Sequence, residues 1–182
     1  MRKKIVKCFG VFLMSVLLLS GCSSKEKEQC EEQVTKFLTA YQEQDTECGE
    51  YLKGNEDDSA VSFEGFQSIL AKNITFEIDS VDVEDDYYVV TAIIENVDFG
   101  TVVENLANSN DLNIQTKEDI LQELEKCLQA KDAPKREFEV PIRLDSEMKI
   151  EMTSELSNAL LGGYTEYIYE LTTGGMENET NN

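Results

Sequence analysis

Histidine is absent from this chain of 182 residues, which leaves thiols, carboxylates and tyrosines as the groups that could do chemistry. Histidine is the commonest general base, the usual partner of a serine or cysteine nucleophile, and a frequent zinc ligand. Its absence excludes most hydrolase mechanisms. Glycine-rich phosphate loops, metalloprotease helices and nucleophile elbows are also missing from the sequence. The sequence therefore singles out no catalytic, cofactor-binding or metal-binding residue.

Three cysteines follow the N-terminal segment, at Cys30, Cys48 and Cys127. Cys30 and Cys127 fall on apolar helix faces, where a free cysteine behaves as a small hydrophobic side chain. An exported protein can also keep a disulfide, and if one forms here we expect it between Cys48 and Cys127. A catalytic thiol is not expected, because no histidine is present to activate it. Free thiols and one disulfide both stay open as interpretations.

An acidic cluster at a predicted hairpin turn is the other candidate for chemistry. Its carboxylates could hold a hard cation such as calcium, but the cluster lacks the glycine and the terminal glutamate spacing of a calcium loop. A solvated turn that opposes edge-to-edge aggregation is the favoured interpretation. The seven tyrosines could line a pocket, although covering the edges of a core is the commoner role. The acidic cluster comprises Asp79, Asp82, Glu84, Asp85 and Asp86.

The first 21 residues have the pattern of an export signal. A basic start at residues 2–7 precedes an apolar run of 12 residues from Cys8 to Leu19, whereas a membrane-spanning helix needs roughly 20. The next residues, Leu19-Ser20-Gly21-Cys22, resemble the lipobox of bacterial lipoproteins. That resemblance implies cleavage between Gly21 and Cys22, a diacylglycerol on the Cys22 sulfur, and a lipid-anchored protein on the extracytoplasmic face of the cell membrane.

The N-terminal segment and the rest of the chain carry opposite net charge. Residues 1–21 carry four Lys or Arg and no acid, so their removal changes the formal charge from −21 to −25 over the remaining 161 residues. Such acidity argues against nucleic acid as a partner and against electrostatic attachment to anionic lipid. The acyl chains on Cys22 must then hold the protein at the membrane, with polar residues 22–29 as a tether.

The periodicity of the remaining residues predicts one α+β domain over 30–171, followed by a disordered polar tail over 172–182. Helical spacing is expected first, then a hairpin, then two helices, then a second hairpin, a last helix and a further apolar segment. Thr153 or Ser154 would cap the helix after the second hairpin, and Gly162-Gly163 would end it. The predicted elements are helices near 27–44, 48–52 and 63–70, strands at 74–78 and 87–94, helices around 102–106 and 120–128, strands at 138–142 and 148–152, a last helix at 154–161, and a further apolar segment at 164–171.

Three stretches resemble the NTF2-like (cystatin-like) domain of Gram-positive surface lipoproteins. They are Val34–Tyr41 followed by Gln44-Asp45, Tyr87–Asp98, and Glu139–Ile150. The resemblance implies a cone in which N-terminal helices pack on a curved, mainly antiparallel sheet that can enclose a pocket. The chain departs from the pattern at Met148, where an aromatic residue is common, and at Asp145–Glu147, where the family has a glycine turn.

The NTF2-like fold hosts enzymes, ligand binders and interaction modules, so it implies no reaction. We expect a non-enzymatic module that binds a small molecule, a peptide or an envelope protein. The alternative is a small-molecule enzyme of the ketosteroid-isomerase type, which would use an aspartate and a tyrosine inside the cone. A buried carboxylate beside a tyrosine hydroxyl would favour the enzyme.

Overall fold

The fold is described from a computed structural model, which covers residues 5–54, 63–84, 87–109 and 116–177, with side chains from residue 24 to residue 173 of those ranges. Its elements are α1 Ile5–Glu43, a 3₁₀ helix Thr46–Tyr51, α2 Phe66–Asn73, β1 Thr75–Val83, β2 Tyr88–Val97, α3 Phe99–Ala107, α4 Lys117–Leu128, β3 Lys135–Leu144, α5 Ser154–Leu160 and α6 Tyr164–Glu177. Helices and an antiparallel sheet share one chain, which confirms the predicted α+β class. None of the helices in the described ranges is long and apolar enough to cross a membrane.

Three antiparallel strands form the sheet in the order β1-β2-β3. The predicted first hairpin is confirmed as β1–β2, with Val81 opposite Val90 and an irregularity in register between Ile78 and Ser80. Alternate residues of the central strand face inward and are buried, as a half-covered sheet requires. The sheet therefore has a buried inner face and a second face that the helices leave open.

Helix α1 covers the inner face because its apolar residues recur at helical spacing. Cys30, Val34, Phe37 and Leu38 are fully buried and belong to one core cluster with inward-facing residues of all three strands. The helix begins earlier than the periodicity predicted, so the residues assigned to a polar tether lie within α1. The larger core cluster contains Cys30, Val34, Phe37, Leu38, Tyr41, Ala71, Ile74, Val81, Val90, Ala92, Ile94, Val140, Ile142, Leu144, Ile150, Leu156, Ala159 and Leu160.

A second, smaller core forms where α2, α3 and α4 meet beyond the end of β2. Phe99 is at its centre, with ring centroids 5.4 Å from Phe66 and 5.1 Å from Tyr164. The apolar stripe predicted on α4 is only partly correct, since Leu124 is buried while Ile120 and Leu121 are 44% and 45% exposed. Helical periodicity identifies a face but not how far along the helix a neighbour covers it.

The predicted second hairpin is only partly correct, because the chain turns back after β3 and Leu144 bridges Ile150 but no second strand forms. Residues 148–152 form no strand, and only single bridges join Ile150 to Leu52 and to Leu144. Ile150 instead forms backbone hydrogen bonds with residues at the end of the 3₁₀ helix and just after it. Its N–H donates to the Tyr51 carbonyl at 2.8 Å, and its carbonyl accepts from the Lys53 N–H at 2.9 Å. The alternating pattern correctly identified Ile150 as a buried residue. Backbone pairing with residues distant in sequence, however, replaces the predicted ladder between neighbouring strands.

Helix α5 has a clear start and end and is hydrogen-bonded to the end of β2. Thr153 caps the helix by accepting from the Leu156 N–H, as predicted, and Gly162 and Gly163 both have positive φ at its end. Asn96, which is fully buried, donates through Nδ2 to the Leu160 carbonyl at 2.9 Å and accepts from the Val97 N–H. Helix α6 then continues to Glu177, six residues into the predicted polar tail, and residues 178–182 lie outside the described ranges.

A candidate anion-binding cleft

A cleft of about 310 Å³ opens where the start of β2, the end of β3 and the segment after the 3₁₀ helix come together. It combines three cationic side chains with one aromatic ring and two carboxylates in a strongly acidic protein. The lining residues are Lys53, Tyr87, Arg143, Leu144, Asp145, Lys149 and Glu151. The local balance of charge is thus positive where the protein as a whole is negative.

The turn after β3 fixes one wall of this cleft. Asp145 Oδ1 accepts hydrogen bonds from the N–H groups of Glu147 at 2.9 Å and Lys149 at 3.0 Å. The Asp145 N–H donates to the Lys149 carbonyl, and Met148 has a φ of 62° within the closed turn. A carboxylate that accepts two backbone N–H groups is held in one orientation, so the turn positions Asp145 and Lys149 together.

The segment after the 3₁₀ helix supplies the opposite wall. Lys53 is anchored through its N–H to Ile150, and its Nζ lies 3.9 Å from Asp145 Oδ2. Lys149 Nζ donates across the cleft to the Glu50 carbonyl. Because the Lys53 side chain is 60% exposed, its long contact to Asp145 is weak and leaves the ammonium available to a ligand.

Arg143 is the central cation of the cleft. It lies opposite Val89 on the open face of the sheet, and its guanidinium carbon is 5.8 Å from the centre of the Tyr87 ring. Within the described ranges no carboxylate lies within 4.0 Å of it, whereas the matched Arg136 on the same strand pairs with Glu166 at 2.9 Å. A guanidinium held over an aromatic ring, with its donors unpaired, is suited to a planar carboxylate or to a phosphate.

The cleft lies at the end of the domain from which the N-terminus of α1 leaves. Cys30 Sγ is 3.8 Å from Met148 Sδ in the turn of the cleft, whereas Gln42, near the other end of α1, donates to the Ile74 carbonyl just before β1. The strands run between these two ends. Residues of α1 before Cys30 therefore extend away from the domain on the same side as the cleft.

The structure separates the predicted cysteine pair. Cys48 and Cys127 are both free, since the 3₁₀ helix of Cys48 packs on α1 while α4 packs on α2 and α3, so the predicted disulfide is not formed. Burial, followed by nearby Glu26, raises the pKa of the Cys30 thiol, and burial with nearby Asp45 raises that of Cys48. Raised thiol pKa values keep both groups protonated and poorly nucleophilic, which fits the small hydrophobic role.

The other predicted groups do not assemble into a site in the described ranges. No group of three or more Cys, Asp or Glu side chains there is arranged to hold a metal ion. Asp82 and Glu84 of the acidic turn are exposed, residues 85 and 86 lie outside the described ranges, and at the predicted cleavage point Gly21-Cys22 only the backbone is described. Tyr41 is buried and Tyr87 lines the cleft, so the tyrosines serve both predicted purposes.

Sequence reasoning missed the cleft because Lys53 is far along the chain from Arg143 and Lys149. The three cations have no shared motif, and the backbone pairing of residues 51–53 with Ile150 brings Lys53 next to the other two. Arg143 next to two lysine-bearing turns is not a recognisable local signal. A comparison with protein-family models, with curated proteins and with solved structures finds no match to this chain.

Proposed function

We propose that this protein is a lipid-anchored extracytoplasmic binding module whose cleft takes the anionic group, carboxylate or phosphate, of its ligand. The observation that carries the proposal is Arg143, which is held over Tyr87, has no carboxylate partner among the described residues, and is flanked by Lys53 and Lys149. Asp145 and Glu151 in the same cleft would accept donors of the ligand, so a ligand with both an anionic group and a hydrogen-bond donor fits best.

The position of the proposed anchor implies that the cleft faces the membrane. Lipidation of Cys22 after cleavage at Gly21 would place the acyl chains eight residues before Cys30, about 12 Å along a helix. Since Cys30 touches the turn of the cleft, the ligand would bind on the membrane side of the domain. Two acyl chains on one cysteine give durable attachment without a basic patch.

The order of elements supports an NTF2-like scaffold, which we include in the proposal. A long first helix lies across an antiparallel sheet, a hairpin follows, and helices separate it from a further strand. The described sheet has three strands, and its pocket lies at a strand end rather than inside a cone. In the described ranges Asn96 is the buried polar side chain and no carboxylate is buried, so no ketosteroid-isomerase type of reaction is proposed.

Calorimetric titration of the full chain with inorganic phosphate and with acetate tests the cleft. Arg143→Gln should weaken binding of the preferred anion by about tenfold, because a charge-assisted bidentate contact is lost. Arg136→Gln is the matched control: it removes the same charge from the same strand, but from a guanidinium that Glu166 already pairs. Equal weakening in both variants, or no heat with either anion, refutes the cleft as an anion site.

Intact-mass measurement of protein purified from a bacterial membrane tests the anchor. The wild-type chain should begin at Cys22 and carry a diacylglycerol, while a Cys22→Ala variant should keep residues 1–21. An unmodified wild-type chain that still starts at Met1 would overturn the anchor and leave the cleft proposal standing.

A further inference from the structure

The open face of the sheet is a second surface that the cleft does not explain. In the described ranges, the helices in contact with the strands are α1, α2 and α5, and the buried strand residues alternate with those of the open face. The exposed residues of β3 on that face include Glu137, Glu139 and Pro141. Among the residues that the structure describes, none forms a layer over this side of the sheet.

The half of this face farther from the cleft is strongly acidic around an apolar centre. Ile93 lies directly between Glu77 on β1 and Glu139 on β3, and Glu95 lies directly opposite Glu137. A hollow of about 230 Å³ is lined by Thr75, Phe76, Glu77, Ile93, Glu95 and Glu137. Like charges placed directly opposite each other across strands destabilise a sheet, so this arrangement has a cost in the free protein.

Lys135 offsets that repulsion only in part. Its Nζ is 2.7 Å from Glu95 Oε1, and this contact lowers the pKa of the Glu95 carboxyl. Within the described ranges, Glu77, Glu137 and Glu139 have no cation within ion-pair distance. Three carboxylates around one isoleucine thus remain open to cations from outside the molecule.

We propose that this face, from Glu77 across Ile93 to Glu139, docks a lysine- or arginine-bearing segment of a partner protein. The aliphatic stem of such a side chain would lie on Ile93 while its charged end reaches the glutamates, which is how long cationic side chains cover apolar surface. Complementary charge would also speed the encounter. The proposal rests on neither the anchor nor the cleft and goes beyond the proposed function.

The edge of β3 indicates that the partner lies across the face and does not extend the sheet. Pro141 cannot donate a hydrogen bond at this edge, and the Arg143 carbonyl there already accepts from the Glu151 N–H at 2.9 Å. Both features oppose the addition of a strand. A second copy of the chain would present the same carboxylates and is therefore a poor occupant.

Nuclear magnetic resonance titration of the full chain in detergent, with the peptide Lys-Leu-Lys-Leu-Lys-Leu-Lys as probe, tests the proposal. Amide shifts should concentrate on β1, β2 and β3 around Ile93, and the double variant Glu77→Gln/Glu139→Gln should bind about tenfold more weakly. A double variant with the same change of net charge, Glu118→Gln/Glu155→Gln, places its substitutions on α4 and α5 and should bind within about twofold of wild type.

Equal weakening in the two double variants would mean attraction to net charge alone and would overturn the proposal. So would shifts that avoid the open face, or self-association of the wild-type chain through it. Both glutamates are exposed, so the face variant should fold, and far-ultraviolet circular dichroism verifies this. Its unchanged response to phosphate would show that the cleft and the face act separately.

Discussion

Substitution of Gly162 by alanine should be among the most damaging single changes in the protein. Gly162 has a φ of +59°, and a Cβ built there overlaps the Val97 carbonyl oxygen and lies 3.4 Å from Leu70 Cδ2. The Gly162 carbonyl also accepts from the Phe99 N–H at 2.9 Å, so this residue cannot shift without breaking that contact. A methyl group at residue 162 must therefore displace the backbone at the end of β2.

The magnitude follows from a comparison with Gly54. Gly54 has a φ of +79°, and no atom of the described ranges lies within 4 Å of a built Cβ, so Gly54→Ala measures the left-handed backbone alone, about 1–2 kcal/mol. Gly162→Ala adds the overlap with a backbone oxygen, and we expect a total loss of at least about 4 kcal/mol in the free energy of unfolding. The difference between the two variants isolates the steric part.

Urea unfolding of the full chain, followed by far-ultraviolet circular dichroism, measures both losses. The slope of free energy against urea should stay constant, since neither substitution changes the surface exposed on unfolding. Losses that agree within about 1 kcal/mol would refute the argument, because the close approach of Gly162 to β2 would then contribute nothing. A smaller loss for Gly162 than for Gly54 would refute it more strongly.

Three further predictions use the same unfolding assay. Asn96→Leu should lower the free energy of unfolding by about 3 kcal/mol, because the Val97 N–H and the Leu160 carbonyl lose a buried hydrogen-bond partner. A loss under about 1 kcal/mol would contradict that role of Asn96. Thr116→Ala should cost about 1 kcal/mol by removing the capping box that Thr116 forms with Asp119, while no loss would mean that the cap adds nothing. Burial raises the pKa of Tyr41 to about 12, so the unfolded chain ionises first and stability should fall by about 2 kcal/mol between pH 10 and pH 12. A Tyr41→Phe variant should lose this part of the pH dependence, and identical profiles for the two proteins would contradict it.

Elements with a clear period were predictable from the sequence alone. The spacing from Cys30 to Tyr41 identified the buried face of α1, and the run of aromatic and β-branched residues over 87–94 identified the strand found as β2, because each pattern depends only on local geometry. The caps at Thr153 and the end at Gly162 were found for the same reason. Such signals extend over a few neighbouring residues and need no knowledge of the partner.

The errors arose where a distant partner decides the outcome. Ile150 alternates with polar neighbours like a strand residue, yet its backbone groups pair with residues 51–53. Ile120 and Leu121 continue the apolar stripe of α4, yet the described neighbours do not cover them. A pattern states which side chain could be buried, whereas tertiary contacts determine whether it is.

The link between anchor and cleft has a physical consequence for the class of ligand. If Cys22 is lipidated, the cleft lies about 12 Å from the membrane along α1, which is longer than the roughly 8 Å screening length of physiological salt. The potential of an anionic membrane would then fall to about a fifth of its surface value at the cleft, so it would hinder a soluble anion only weakly. The intervening turns carry Lys25 and Lys27 beside Glu26 and Glu28, so they add no net charge of their own. A dissolved anion therefore fits the cleft better than an anionic lipid headgroup does, and vesicles that contain anionic lipid should compete poorly with phosphate for Arg143.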